Sequence, residues 1–479
     1  MANITRRLES AFSSRRLIDN VKRRLFILVV LGLAASVRIV MSTHILFVSI
    51  DTMDFYAHTF YFLRSPLEIY RMTVDKMKVP WMDGTWQPVG SYSYPPIWIL
   101  TLSSLSMAFA GSYLGPVEAP ARGWMFVYVE RALLIIVDLI IGFMIYFRFG
   151  ENRKGVLAAS LYLFSFMPIL ESSMWGQFDA LPTMFLLASL LTIDRNRVRY
   201  SGFFAGLALM TKQWALYAIA PMFFYLLGRS RKNAFDYALT VFEVSFLASA
   251  PFMLDIGSAQ AYLTRVWMYG AYPEFFAVGW ERAVSLWIHN QVCGFYQVGL
   301  LAIDAMNLSF QTFLWIFWIG RVAQLVLMAL VVIAALRWDI DANRVMMLGL
   351  LAFLSTSWVL HPQYTISAIP FLMIDVMQSH KGFKWFLVTL LPSVVPLFGW
   401  SQIYWELGLV DPGFAGYLSD LLESPLGFHS WTGNYLLMAS AGFVYVACLT
   451  MYLIQTLGNS RDFSGESKTR DRLPLPRPR

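Results

Sequence analysis

The 479-residue chain is poor in charge and contains only two cysteines. Charged residues make up 14% of the sequence, whereas an ordinary soluble domain has about 25%. Hydrophobic residues supply 57% and aromatic residues 16%, a composition that excludes a soluble globular protein, a disordered chain and a coiled coil. Cys293 and Cys448 are too few for a disulfide framework or a metal site. The sequence also lacks a glycine-rich phosphate loop, a His/Cys metal spacing and a nucleophile elbow.

The net charge of +7 is concentrated at the two ends of the chain. Residues 1–24 carry seven Lys/Arg against two acidic residues, and residues 457–479 carry six against three. The rest of the chain is therefore close to neutral. Basic ends beside an apolar body are typical of cytoplasmic tails at a membrane, and no nucleic-acid partner is predicted.

Apolar runs of membrane-spanning length predict an all-α polytopic membrane protein with about 12 transmembrane helices. The first run, 25–47, continues past any cleavage point and is interpreted as a retained helix rather than a signal peptide. Basic loops between the runs predict which side is cytoplasmic. These loops are 148–154, 195–199, 229–232, 337–344 and 381–384.

Some apolar runs are too short to cross a membrane. The run 97–110 is predicted to be an interfacial or re-entrant helix within a long first external loop, 48–123. Residues 155–170 are predicted to form a short span, followed by a short external segment, 171–178. Residues 200–228 are predicted to form a short helical hairpin with Lys212 near its outer tip. Such short helices imply a cavity on the outer side, because irregular backbone at membrane depth must face protein or water.

The predicted organisation has five parts. These are a basic cytoplasmic tail (1–24), an N-terminal transmembrane module that includes the first external loop (25–253), a second external loop (254–309), C-terminal transmembrane helices (310–456) and a second cytoplasmic tail (457–479).

Two carboxylates follow the first apolar run. Asp51 and Asp54 lie three residues apart and can share one face of a helix. A positioned carboxylate can take a proton from an acceptor hydroxyl, so both are candidate catalytic bases. The alternative is a cap or a solvated helix end.

Polar and aromatic residues elsewhere are candidates for binding a substrate. Tyr94 precedes two prolines that favour a helix start, and Trp175 offers a flat face for a sugar or an isoprenoid. Arg131 lies on one helix face with Asp138, where a structural role is the alternative. Asp179 opens the next predicted helix, where helix capping is the alternative. The full set of substrate-binding candidates is Tyr94, Trp175, Gln177, Asp179 and Arg131.

Four basic side chains are candidates for contacting a lipid phosphate. Arginine suits bidentate phosphate contacts, and a cation held at headgroup depth can neutralise a phosphate. Snorkelling to the surface is the alternative for the lysine. The four are Lys212, Arg265, Arg282 and His361.

The order of these motifs over roughly residues 25–375 resembles the GT-C superfamily of polyprenyl-phosphate-sugar-dependent glycosyltransferases. It is most similar to the dolichyl-phosphate-glucose glucosyltransferases of lipid-linked oligosaccharide assembly. The stretches that carry the resemblance are Asp54-Phe-Tyr-Ala-His58, Tyr94-Pro-Pro96, Arg131 with Val137-Asp-Leu139, Lys212-Gln-Trp-Ala-Leu-Tyr217, Arg265, Trp280-Glu-Arg282 and Leu360-His361.

Two features depart from the glucosyltransferase pattern. Pro362 and Gln363 stand where those enzymes have Glu and Lys, and Trp175-Gly-Gln-Phe-Asp179 is more typical of prokaryotic polyprenyl-phosphate-mannose mannosyltransferases. Glucose and mannose are both open as the transferred sugar.

The resemblance implies a GT-C fold and an inverting, single-displacement hexosyl transfer that needs no metal or other cofactor. It places Asp54 as the base, and Lys212, Arg265, Arg282 and His361 at the donor phosphate; Asp51 is an addition from the residues alone. The implied donor is a polyprenyl- or dolichyl-phosphate sugar. The implied acceptor is a lipid-linked glycan, a glycolipid or a protein on the extracytoplasmic face.

A prokaryotic plasma membrane is favoured over the endoplasmic reticulum as the location. A flippase or transporter of a lipid-linked sugar is the alternative from another class. It predicts ionisable residues deep in several spans and an internal repeat, whereas the candidates here cluster at one face. A structural or assembly subunit is a third possibility.

Overall fold

The computed structural model describes residues 24–43, 50–72, 78–80, 86–88, 92–109, 120–150, 152–267, 310–356, 362–379 and 450–458. These residues are mostly helical, which confirms the predicted helical class. One short antiparallel pair, β1 (Lys78–Pro80) with β2 (Trp86–Pro88), was not part of the prediction; Val79 lies opposite Gln87. The number of about 12 transmembrane helices stays a prediction.

The described α-helices are numbered here in chain order. They are α1 (Arg24–Thr43), α2 (Ile50–Arg64), α3 (Pro96–Phe109), α4 (Pro120–Arg148), α5 (Arg153–Leu163), α6 (Phe166–Ile169), α7 (Ala180–Ile193), α8 (Val198–Leu209), α9 (Leu216–Leu227), α10 (Arg231–Ser249), α11 (Ile256–Tyr262), α12 (Phe310–Arg337), α13 (Ala342–Thr356), α14 (Ile369–Ser379) and α15 (450–458).

Tighter and wider turns extend several of these helices. The 3₁₀ segments are Pro66–Glu68, Gln213–Ala215, Ala250–Met253 and Pro362–Ser367, and the π-helical segments are Leu170–Trp175 and Leu263–Trp267.

Local sequence explains where several helices begin. The side chains of Asn152 and Asp255 each accept a hydrogen bond from the backbone N–H three residues on, at 3.0 Å. These are N-caps, which satisfy backbone donors that have no partner within the helix. Proline opens α3 and α4, at the position where its missing N–H costs nothing.

Close packing holds the short helices together. Helix α10 packs against both α8 and α9, and α9 also packs against α12 and α13. At Gly349, a Cβ atom would lie 1.9 Å from the backbone oxygen of Tyr217. Because any side chain would overlap that oxygen, Gly349 allows α13 and α9 to approach closely.

The basic loops within the described residues gather at one end of the helices. Arg148 pairs with Asp194 at 2.8 Å, where α4 and α7 end. Arg229, which follows α9, donates to the carbonyl of Ile340, which precedes α13. Helix α8 begins at this end, so Lys212, which follows its last turn, lies at the opposite end. Two short helices with Lys212 in the turn between them agree with the prediction for 200–228.

Few of the described helices are long enough to cross a membrane by themselves. Among the described residues, α1 alone has the length and hydropathy of a span, and a second would be added if the bent pair Arg153–Leu163 and Phe166–Trp175 formed one crossing. Helix α3 has 14 residues and is apolar, as expected for the short helix at 97–110.

The region 155–178 is bent. The helical path changes direction by 53° between Leu163 and Phe166, and the short span at 155–170 stays a prediction. The predicted external segment 171–178 is helical as far as Trp175, and its side chains are largely buried. A break at this point leaves room for the polar contacts described next.

Candidate functional site

Lys212 lies in a buried ion pair. It occupies the turn between α8 and α9, and its side chain is 2% exposed. The Nζ atom lies 2.5 Å from Oδ2 of Asp179, while Trp214 donates from Nε1 to Oδ1 of the same carboxylate at 2.8 Å. Asp179 precedes α7 but makes no capping hydrogen bond, so capping does not explain it. Snorkelling does not explain Lys212, because the ammonium is buried.

Aromatic rings surround the Lys212 ammonium on its other sides. The Nζ atom lies 4.4 Å from the ring centre of Phe178, 5.2 Å from that of Tyr364 and 5.4 Å from that of Tyr94. Ring faces attract a cation at these distances. The rings offer no hydrogen-bond acceptor as strong as a carboxylate. Among the described residues, Asp179 is the one carboxylate that forms an ion pair with Lys212.

The segment that carries Asp179 turns sharply at Gly176. Gly176 has φ = 82°, and the backbone N–H groups of Gly176 and Gln177 both donate to the carbonyl of Glu171, at 2.9 and 3.0 Å. A Cβ atom at Gly176 would lie 2.7 Å from Oγ1 of Thr52 and 3.2 Å from Oε2 of Glu130. Both the conformation and the space therefore require glycine here.

Helix α2 packs against this segment. Thr52 donates from Oγ1 to the carbonyl of Trp175 at 3.2 Å, and Phe55 contacts the ring of Phe178 edge-on at 5.4 Å. Asp54 lies on the same helix, partly buried, and Asp51 lies in its first turn. The structure thus brings the helix of both candidate bases against the segment that ends at Asp179.

Gln213 joins three parts of the site. Its Nε2 donates to the carbonyl of Ser93 at 2.9 Å and to that of Val266 at 2.8 Å. These carbonyls adjoin Tyr94 and Arg265 in sequence. One amide therefore fixes both neighbouring segments to the Lys212 turn.

Tyr94 and Arg265 are also held by contacts of their own. Tyr70 donates to the carbonyl of Tyr94 at 2.9 Å, and Arg265 donates from Nη1 to the carbonyl of Met72 at 2.8 Å. Burial raises the pKa of the Tyr70 and Tyr92 hydroxyls above the ordinary value, so both stay neutral hydrogen-bond donors. Arg282 and His361 lie outside the described residues.

Arg131 supports the segment from the other side. Its side chain is 1% exposed, and its Nη2 donates to the carbonyl of Met174 at 2.8 Å and its Nη1 to that of Ser42 at 3.3 Å. Among the described contacts Arg131 therefore holds the backbone next to Trp175. Trp175 is 3% exposed and Gln177 is fully buried.

Asp138 belongs to a second buried ion pair. Arg38 donates from Nε to Oδ2 of Asp138 at 3.2 Å, Ser172 donates to the same oxygen at 2.6 Å, and Tyr162 donates to Oδ1 at 2.7 Å. Nη1 of Arg38 also donates to the carbonyl of Leu163 at 2.7 Å. This cluster joins α1, α4 and α5 to the π-helical segment.

Sequence reasoning missed several of these residues. Glu130, Glu171 and Arg38 are fully buried, and Gln213 is the link described above. The available signal was the position of Arg38 and Glu130 within apolar runs and of Glu171 directly after one, since an ionisable side chain at membrane depth is costly and is kept for a purpose.

The arrangement is suited to holding an anion in an apolar setting. The Lys212 ammonium and its aromatic rings lie beside α2, the helix of Asp51 and Asp54. Gln213 connects the segment of Arg265 to the same turn. Among the described residues, no group of three or more His, Cys, Asp or Glu side chains is placed to hold a metal ion. The prediction of a metal-free site stays a prediction.

The chain was compared with known protein families and solved structures. Two structures of an oligosaccharyltransferase from Archaeoglobus fulgidus are similar at 13% identity. They are the apo crystal structure, covering 87% of this chain and 56% of that chain with a TM-score of 0.40, and AglB in complex with an inhibitory peptide and a dolichol-phosphate, covering 88% and 56% with a TM-score of 0.41. The chain thus spans 56% of the length of these proteins. Comparison with curated protein sequences gives no match.

One family model matches the chain. The model of glycosyltransferase family 87 covers residues 92–362, which include the candidate residues from Tyr94 to His361 and exclude Asp51 and Asp54. The match confirms the predicted glycosyltransferase class, while the GT-C superfamily and the glucosyl or mannosyl subtype stay predictions. Because the match spans more than half of the chain, the protein belongs to glycosyltransferase family 87.

Proposed function

We propose that the protein is a membrane-embedded hexosyltransferase. It takes a hexose from a polyprenyl- or dolichyl-phosphate donor and transfers it to a lipid-linked glycan, a glycolipid or a protein on the extracytoplasmic face. The observation that carries the proposal is the buried Lys212, held beside the helix of Asp54 in a chain of glycosyltransferase family 87.

Lys212 is proposed to bind the donor phosphate. An ammonium buried in an apolar setting interacts with an anion far more strongly than one in water. A lipid phosphate supplies both an anion for Lys212 and an apolar chain for the surrounding helices. Since Asp179 neutralises Lys212, the phosphate has either to bind Lys212 together with Asp179 or to displace Asp179 from it. Arg265, together with Arg282 and His361, is proposed to complete the phosphate site.

Asp54 is proposed to act as the general base. It removes the proton from the acceptor hydroxyl, whose oxygen attacks the anomeric carbon of the sugar. The bond from that carbon to the phosphate oxygen breaks, the configuration inverts, and the lipid phosphate leaves as an anion stabilised by Lys212. A positioned base contributes about 10²–10⁴-fold in rate. No general acid is needed, because the leaving group is a stable anion, and the transfer is proposed to proceed without a metal or other cofactor.

The substrate side of the site is proposed to include Tyr94, Trp175, Gln177 and Asp179. Arg131 contributes through the backbone that it holds beside Trp175. Asp51 is the second carboxylate of α2 and is proposed as a substitute or helper for Asp54. The buried aromatic and polar groups suit a sugar ring, which presents both apolar faces and hydroxyls.

The test compares wild type with Asp54→Asn in lipid nanodiscs. Each protein receives short-chain polyprenyl-phosphate glucose and, separately, mannose, with membrane lipid extract as acceptor. Wild type is expected to release or transfer one of the two sugars, and Asp54→Asn to lose about 10²-fold or more of that rate. Asp339→Asn, an exposed residue at the basic end of the helices, is the matched control and should turn over normally.

Other results would redirect the assignment. Normal turnover by Asp54→Asn with loss in Asp51→Asn would move the base to Asp51. Specific binding of a lipid-linked sugar with no turnover of either donor would contradict the transferase proposal and favour transport.

A further inference from the structure

Glu171 is a buried carboxyl that the proposed mechanism does not use. Its side chain is fully buried in the π-helical segment. No side chain among the described residues donates a hydrogen bond to its carboxyl oxygens, and the backbone N–H of Asp179 is the one donor that acts on them. Its backbone carbonyl, by contrast, accepts two hydrogen bonds from the Gly176 turn.

The groups that face Glu171 come from every side of the segment. Among the charged neighbours, Asp179 at the start of α7 interacts most strongly with it, followed by Lys212 in the turn after α8 and Asp138 on α4. Tyr162 on α5 is also within electrostatic reach. Among the described residues, two carboxylates and one ammonium are therefore the charges that act on Glu171 most strongly. Arg38 on α1 and Glu130 and Arg131 on α4 are further buried charges on the helices that contact the same segment.

The buried cations near this segment are already engaged. Lys212 pairs with Asp179 and Arg38 with Asp138, while Arg131 donates to the carbonyls of Ser42 and Met174. Among the described residues, an ionised Glu171 would add a buried negative charge with no cation of its own and with only the backbone N–H of Asp179 as a hydrogen-bond donor. Burying such a charge is far more costly than burying the neutral acid. Two carboxyl groups that share a site also keep one proton between them.

We propose that Glu171 is a positioning residue of the donor site, which holds a proton in the donor-free enzyme and shares it with Asp179 when Lys212 pairs with the donor phosphate. The inference rests on the proposed function, because it needs a lipid phosphate that competes with Asp179 for Lys212. The proton moves only between the two carboxyl groups. Lys212 exchanges one anionic partner for another, and no co-reactant is needed.

The pH dependence of donor binding follows from this arrangement. The donor-bound state needs the shared proton, so donor affinity should fall as the pH rises far enough to remove it from Glu171. Glu171→Gln keeps a neutral hydrogen-bond donor next to Asp179 and should bind without that fall. Glu171→Leu has no hydrogen-bond donor at this position and should bind the lipid phosphate about tenfold more weakly, because Asp179 loses the hydrogen bond from residue 171.

The first measurement needs no lipid phosphate. Infrared spectra of the donor-free protein in nanodiscs are recorded for wild type, Glu171→Gln and the exposed control Glu68→Gln. The spectrum of wild type minus that of Glu171→Gln is expected to show the carbonyl band of a protonated carboxyl, and the spectrum of wild type minus that of Glu68→Gln is not. Equal spectra from wild type and Glu171→Gln would overturn the inference, whatever the protein binds.

The second measurement adds a short-chain polyprenyl phosphate. Binding to wild type should shift the carbonyl band, and Asp179→Asn should prevent the shift. Binding with an unchanged band, or equal weakening by Glu171→Gln and Glu171→Leu, would overturn the positioning role. No binding to wild type would contradict the proposed function, and with it the proton sharing, while the first measurement would still decide whether Glu171 is protonated.

Discussion

Two buried ion pairs lie close together in this protein, and they differ in how completely their charges are satisfied. Asp138 accepts hydrogen bonds from Arg38, Tyr162 and Ser172. Lys212 has Asp179 as its one carboxylate partner among the described residues, with aromatic rings on its other sides. The Asp138 carboxylate accepts three hydrogen bonds, although Nη2 of Arg38 has no partner among the described residues, whereas the second pair leaves an ammonium able to take another anion.

The difference separates a structural role from a binding role. A buried carboxylate that already accepts three hydrogen bonds gains little from a ligand, and removing its cation or the carboxylate itself costs much stability. A buried cation with a single acidic acceptor can exchange it for a phosphate. Glu171 is a buried carboxyl that interacts electrostatically with the aspartates of both pairs.

One short segment connects the two pairs. Ser172 binds Asp138, and Asp179, seven residues later, binds Lys212. Gly176 provides the turn between them. The Arg38/Asp138 pair therefore fixes one end of the segment, and the other end presents Asp179 to the candidate donor site.

The largest expected effect comes from breaking the Arg38/Asp138 pair. Asp138→Leu leaves the Arg38 guanidinium buried without a counter-charge and removes the acceptor of Tyr162 and Ser172. We expect the free energy of unfolding to fall by about 3–5 kcal/mol, measured by thermal unfolding in detergent. Asp236→Leu is the control, since its partner Arg199 is 74% exposed and exposed pairs contribute about 0–1 kcal/mol. Equal losses in the two variants would contradict the structural role of Asp138.

A smaller effect should follow from altering the segment between the pairs. Gly176→Ala forces a side chain into a left-handed conformation and against Oγ1 of Thr52. We expect a loss of about 1–3 kcal/mol in the free energy of unfolding, together with a raised KM for the donor, because Asp179 is displaced.

Gly150→Ala separates the effect of the left-handed backbone from the effect of the steric overlap in Gly176→Ala. Gly150 has φ = 68°, but nothing lies within 4 Å of its Cβ position. This variant should lose only about 1–2 kcal/mol and leave the KM for the donor unchanged. An unchanged KM in Gly176→Ala would show that the segment does not position the donor site.

The smallest effect is expected at Gln213. Gln213→Ala removes the amide that holds the carbonyls of Ser93 and Val266. We expect a loss of about 1–2 kcal/mol and a raised KM for the donor with little change in kcat, from initial rates. Gln260→Ala, an exposed glutamine on the neighbouring α11, should change neither parameter. A fall in kcat alone would place Gln213 at the reacting atoms instead.

The sequence predicted local features of the fold well. The short helix at 97–110 and the turn carrying Lys212 followed from the lengths of the apolar runs and from the basic loops. The β1–β2 pair was not predicted, because strands of three residues show no alternating pattern. The bend after Leu163 was also missed, since the residues that stabilise it come from α1 and α4.

The candidate site was predictable only in part. Asp54, Tyr94, Asp179 and Lys212 stood out by residue type and motif order. The pairing of Lys212 with Asp179 could not be predicted, because the two residues are 33 positions apart and their contact depends on how α7 and α8 pack. For the same reason Asp138 was considered with Arg131, on its own helix, whereas it pairs with Arg38, 100 positions away.

The most direct test replaces each ion pair by neutral residues of similar shape. Wild type, Lys212→Gln/Asp179→Asn and Arg38→Gln/Asp138→Asn are compared in nanodiscs for thermal unfolding and for binding of short-chain polyprenyl phosphate. The account predicts that the Lys212/Asp179 double variant unfolds near the wild-type temperature but binds at least about tenfold more weakly. The Arg38/Asp138 double variant should be strongly destabilised. Wild-type lipid binding by a folded Lys212/Asp179 variant would contradict the account, because the donor phosphate would then be held elsewhere.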